Sequence, residues 1–140
     1  MTLIVDAAPI VAMSDPDEPR RSAILDTLRI EPGTLVMPAP VTAEIDYLLG
    51  RRFGREARPA FLRDLATGRF AVSCLEREDY KTIETLERQY ADLDLGLADC
   101  AVVVLAERFQ TNRILSFDER HFRAVTPLQG GAFEILPADG

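Results

Sequence analysis

A chain of 140 residues with 47% hydrophobic and 28% charged residues has the balance of an ordinary folded domain, which excludes disordered, collagenous and low-complexity classes and predicts a single domain over residues 1–140. The longest uncharged apolar run, Cys100 to Ala106, falls far short of the roughly 20 residues that cross a bilayer, so no membrane partner is expected. The net charge of −7 argues against a nucleic-acid-coating surface, yet fifteen of the sixteen basic residues are Arg, with Arg51, Arg52, Arg55 and Arg58 close together, and Arg binds phosphate bidentately.

The N-terminus, Met-Thr-Leu-Ile-Val-Asp, has no basic segment ahead of an apolar one, so nothing marks it for export. Cys74 and Cys100 stand alone in apolar settings without Cys-x-x-Cys spacing. They are read as small core residues of a reducing, cytoplasmic compartment.

Thr2 to Val5 is too short for a helix and is predicted as a buried strand with Asp6 at its carboxyl end. Pro9 opens a short helix to Met13, Ser14 to Pro19 is an acidic loop, and Arg20 to Ile30 carries Ile24, Leu25 and Leu28 at helical spacing. After the Pro32-Gly33 turn, Thr34 to Met37 is a second strand, which Pro38-Ala-Pro40 stops before a helix from Val41 to Phe53. Glu44 is expected in that helix's first turn. Gly50 and Gly54 are expected to break or bend it, a helix resumes over Glu56 to Thr67, and Phe70 to Leu75 is a third strand.

Glu78 to Tyr90 is a helix with a charged outer side, and Arg113 to Phe117 is a fourth strand ending at Asp118, a natural N-cap for one turn over Glu119 to Phe122. Phe133 to Leu136 is an edge strand. Between these lies the stretch that organises the chain, Asp92 to Phe109, where an acidic segment with one glycine passes into about three turns of apolar helix closed by Glu107 and Arg108. Asp99 sits in its first turn, where the helix dipole stabilises a carboxylate.

Alternating strands and helices predict an α/β fold, a three-layer α/β/α sandwich around a short, mainly parallel sheet with right-handed crossovers. In such folds ligands bind outside the carboxyl ends of the strands. Asp6, Glu44, Asp99 and Asp118 all stand at that edge. Two unit charges about 4 Å apart repel by roughly 4 kcal/mol at an effective dielectric of 20, so four carboxylates gathered there require a cation. All-oxygen ligands on a shallow rim suit Mg²⁺ or Mn²⁺, which can polarise a phosphodiester, activate a water and stabilise a leaving oxygen.

Leu-Ile-Val-Asp6, Glu44 after a proline, Gly96-Leu-Ala-Asp99-Cys-Ala-Val-Val-Val-Leu-Ala-Glu and Ile114-Leu-Ser-Phe-Asp118-Glu-Arg-His-Phe together resemble the PIN-domain ribonucleases, and within them the VapC toxins of toxin–antitoxin pairs. The resemblance covers essentially the whole chain. It implies Mg²⁺- or Mn²⁺-dependent endonucleolytic cleavage of RNA, a homodimer, and neutralisation by a cognate VapB-type antitoxin. Asp6 and Asp99 match the principal metal ligands, Glu44 and Asp118 the rest of the acidic quartet, and Ser116 the small hydroxyl residue two places before the last acid. Arg51, Arg52 and Arg55 are the RNA-binding candidates. Ala7 and Ala8 depart from the family, in which Ser or Thr often follows the first Asp and bonds within the site.

His121, the only histidine, is assigned to local packing rather than to general-base work. One histidine supports neither a zinc site nor a Ser-His-Asp arrangement. The departure at Ala7-Ala8 leaves open a second reading, a PIN-like module that binds RNA or protein and cleaves weakly or not at all. A phosphoacceptor receiver domain lacks its late lysine, since the only one is Lys81, and an Asp-x-Asp phosphatase fails because position 8 is Ala.

Overall fold

The computed structural model describes residues 2–140. Five strands, β1 (Thr2–Val5), β2 (Thr34–Pro38), β3 (Ala71–Ser73), β4 (Arg113–Leu115) and β5 (Glu134–Leu136), form one sheet in the order β3-β2-β1-β4-β5, and every neighbouring pair is parallel. Seven α-helices connect them: α1 (Ala7–Ala12), α2 (Arg21–Ile30), α3 (Ala39–Phe53), α4 (Arg58–Ala66), α5 (Arg77–Gln89), α6 (Leu97–Arg108) and α7 (Glu119–Ala124).

The pleat of the strands divides the core in two. Leu3, Val5, Met37, Leu115 and Leu136 face α1 to α4, packing with Ile24, Val41, Ile45, Leu49 and Phe61. Ile4, Val36, Ile114 and Ile135, which lie side by side in the parallel register, face the other way onto Val102, Val103, Leu105 and Phe122. This is the expected α/β/α sandwich. Helix α6 is buried from Cys100 to Ala106 because it lies across β1, β2 and β4, so its apolar run is continuous rather than a stripe.

Several local expectations are corrected. Helix α3 begins at Ala39, since Pro38 is its N-cap and Pro40 sits in the first turn, where a missing N–H costs nothing. That moves Glu44 to the second turn. Gly50 does not break the helix; it lies inside α3, where a Cβ would come within 3.3 Å of Arg58 Cδ, so the missing side chain makes room for α4. The actual end is Gly54, whose φ of 90° lies where side chains are strained. Strand β3 is an edge strand ending at Ser73, so Cys74 is exposed and not in the core, while Cys100 is buried as expected. Helix α7 runs to Ala124, longer than one turn. Among the described residues no helix is long and apolar enough to cross a membrane.

Candidate metal centre at the carboxyl edge of the sheet

The sheet order decides what meets at the edge. Strands β1 and β4 are neighbours with Val5 opposite Leu115, so the next residues, Asp6 and Ser116, emerge side by side. Asp6 is buried at 7% exposure, and its backbone N–H donates to Leu115 O at 2.9 Å. Its carboxylate accepts two bonds, from Ala7 N–H on Oδ1 at 2.8 Å and from Ser116 Oγ on Oδ2 at 2.8 Å.

Ser116, itself buried, also accepts the N–H of Asp118 at 2.9 Å. One hydroxyl thus ties the first acid to the last. Asp118 caps α7 by accepting His121 N–H on Oδ1 at 3.1 Å, the N-cap expected of it. Its Oδ2 lies 2.6 Å from His121 Nδ1, and the same nitrogen is 3.6 Å from Asp99 Oδ2. Asp99 stands at the third position of α6, where its Oδ2 accepts the N–H of Gly96 at 3.3 Å.

The four acids share one electrostatic environment. Burial pushes the Asp6 carboxyl up to about 6, against the lowering effect of its bonds from Ser116 and Ala7, and the charges of Asp99 and Glu44 raise it further. Asp99 is also raised, first by burial and then by Asp118, although the Gly96 bond opposes the shift. Glu44 is raised by burial of its carboxyl and by Asp99, even though the residue as a whole is exposed on α3. Three acids that resist ionisation in one another's company make a donor set that a divalent cation would relieve.

One atom from each of Asp99, Asp118 and His121 lies within 4.8 Å of the others, close enough for joint coordination. His121 is therefore more than packing. Its Nδ1 touches two of the acids, while its buried Nε2 has no hydrogen-bond partner among the described residues. The signal that could have found it is the spacing Asp118-x-x-His121, which brings a ring back onto the cap residue one turn later.

Of the basic cluster, Arg51, Arg52 and Arg55 are exposed. Arg51 stands seven residues after Glu44 on α3, on the same face and about 10 Å further along the axis. It donates to Tyr47 Oη at 3.3 Å, and Arg52 lies 5.4 Å from the Phe53 ring centroid. Arg58 is committed elsewhere, holding Asp46 with bonds of 2.6 and 3.0 Å.

A family model described as PIN domain matches residues 3–126. Over 135 residues the chain is 36% identical to Ribonuclease VapC26 of Mycobacterium tuberculosis, a match spanning 96% of this chain and 100% of that protein. The crystal structure of Mycobacterium tuberculosis VapC20, a sarcin–ricin-loop-cleaving toxin, matches with a TM-score of 0.77 over 84% of this chain and 90% of that one, at 15% identity, which is a likeness of fold.

Proposed function

The chain belongs to the PIN-domain family, and on that premise we propose that it is a metal-dependent endoribonuclease acting as the toxin of a toxin–antitoxin pair. The observation that supports the reading is that Asp6, Asp99 and Asp118 are linked through Ser116 and His121 at the carboxyl edge of the sheet, with Glu44 near enough for its charge to act on Asp6 and Asp99.

In this reading Asp6, Asp99 and Asp118 hold a Mg²⁺ or Mn²⁺ ion, with Glu44 at the open side of the site. The bound ion would supply Lewis-acid stabilisation of the charge that develops on the phosphodiester. The chain's own groups do the rest. Ser116 fixes the Asp6 carboxylate, the α6 N-terminus holds Asp99, and exposed Glu44 would orient the attacking water. Arg51, Arg52 and Arg55 contact the RNA backbone, whose phosphates give sequence-independent affinity. A VapB-type antitoxin partner and a homodimer complete the proposal, in keeping with the resemblance to VapC proteins and with a protein working in the cytoplasm.

The test compares the wild-type protein with Asp99→Asn on single-stranded RNA in the presence of Mn²⁺. Loss of cleavage by at least about a hundredfold, with RNA binding retained, is expected, since removing a charge-stabilising element costs ~10²–10³ in rate. Equal cleavage by both proteins would overturn the catalytic assignment and favour the binding module.

A further inference from the structure

A cavity of about 250 Å³ opens beside the acidic centre, on the same carboxyl edge of the sheet. Its wall includes Ser116 and Phe117 just after β4, Pro137 just after β5, Glu119 at the start of α7, and Arg20 and Ala23 at the start of α2. The volume is slightly below the ~300–1,000 Å³ of pockets for drug-sized ligands, and of the order that one flat base needs. It adjoins the acids through the chain itself, because Ser116 bonds Asp6, and Phe117 and Glu119 flank Asp118.

The side chains around it have the chemistry of base recognition. The Arg20 guanidinium lies over the Phe117 ring, 3.5 Å from its centroid, so the aromatic ring backs a cationic surface. Unpaired RNA bases stack on such rings and guanidinium planes. Arg20 spends Nε on Glu18, at 2.7 Å, and among the described residues its terminal nitrogens take no partner. Both bonds that Arg123 gives Glu119 fall on Oε1, at 3.2 and 2.8 Å, so Oε2 retains its acceptor capacity.

We propose that this cavity is a subsite for one nucleobase next to the scissile phosphate, stacking on the Arg20 guanidinium that Phe117 backs and donating an exocyclic amino group to Glu119. The proposal rests on the ribonuclease reading above and deepens it by naming what the enzyme selects. A carboxylate only accepts, so at the exocyclic position it favours adenine, cytosine or guanine, each of which carries an amino group; the one donor of uracil, its ring N3–H, lies between two carbonyl oxygens that repel the carboxylate. Uracil presents a carbonyl oxygen where cytosine has its amino group, and would meet the carboxylate with like charge. The free N–H groups of Arg20 lie in the guanidinium plane and point past the stacked base, toward the adjoining phosphate.

The experiment is cleavage of a single-stranded RNA library, randomised in sequence, by the full-length protein with Mn²⁺, with every cut position mapped. The wild type is expected to discriminate against uracil by about tenfold or more at one fixed position beside the cut. Glu119→Gln, whose amide both donates and accepts, should reduce that discrimination below about threefold. Phe117→Leu should reduce cleavage at all sites while leaving Mn²⁺ binding unchanged. Absence of any preferred position in the wild type, or an unaltered preference in Glu119→Gln, overturns the subsite.

A second readout separates the two readings. Should the wild type cleave no RNA, the ribonuclease proposal fails by itself, and the cavity is then decided by NMR titration with cytidine and uridine monophosphates in EDTA. Shifts at Phe117 and Glu119 with the cytidine nucleotide and not with the uridine one would uphold it. Silence with both, or equal shifts with both, would end it.

Discussion

Asp6 is the most buried of the four acids, and the two bonds that hold its carboxylate come from opposite ends of the chain, Ala7 and Ser116. Family members often place a hydroxyl directly after this Asp. Here Ala7 and Ala8 stand there, and the one hydroxyl on Asp6 is that of Ser116, from just after β4. Ser116→Ala would leave the buried Oδ2 of Asp6 and the N–H of Asp118 without their partner, and an unsatisfied buried polar group costs about 1–3 kcal/mol. The expected result is that loss in urea unfolding together with reduced cleavage, while Ser116→Thr, which keeps the hydroxyl, recovers most of both. Full stability and activity in Ser116→Ala would show that the backbone bond from Ala7 suffices.

Helix α6 is the element on which both the core and the site depend. Its first turn presents Asp99, and its next two turns are buried against β1, β2 and β4. Leu105, fully buried two turns beyond Asp99, is a pure packing residue. Leu105→Ala should lower unfolding free energy by about 2–5 kcal/mol, as removal of a buried Leu side chain does, and calorimetry should register it as a lower Tm. Mn²⁺ affinity of the folded fraction is expected to stay within about threefold, because Asp99 is anchored locally by Gly96. A large loss of affinity would mean that the helix shifts as a rigid body. Helix α3 makes the same point from the other layer: its start at Ala39 places Glu44 two residues, about half a turn, deeper than its Pro-rich approach suggests, and exposed.

At the scale of the molecule, gathering acids at one edge makes stability depend on pH and on cations. Asp6, Glu44 and Asp99 are all raised, so the fold prefers their neutral forms. Their contribution is present below the unfolded carboxyl range and is lost as pH rises through the folded values, which for Asp6 spans 3.8 to about 6. For Asp6 the swing is about 3 kcal/mol, taking roughly 1.36 kcal/mol for each unit. In EDTA, the stability difference between Asp6→Asn and the wild type should therefore grow in the variant's favour between pH 4 and pH 7. Mn²⁺ should raise the wild-type Tm at pH 7.5 and much less at pH 5, because an ion that binds the native state stabilises it by mass action. A metal-independent Tm at both pH values would remove the case for a cation at this edge.

Much of this was legible in the chain itself. The apolar runs Thr2–Val5 and Cys100–Ala106 are local signals of length and periodicity, and each acid stands at a boundary that such signals mark. The order of strands and helices then implies a parallel α/β sandwich, and the fold agrees. What no local pattern encodes is which side chains meet there. The pairing of Asp6 with Ser116 spans 110 residues and exists because β1 lies beside β4 in one register. The contact of His121 with Asp99 and the stacking of Arg20 on Phe117 likewise join separate elements of the chain, and the commitment of Arg58 to Asp46 is set by how α4 packs on α3. Periodicity determined the elements and the positions of the acids along them; only the packed sheet, by fixing neighbours and register, decided their partners.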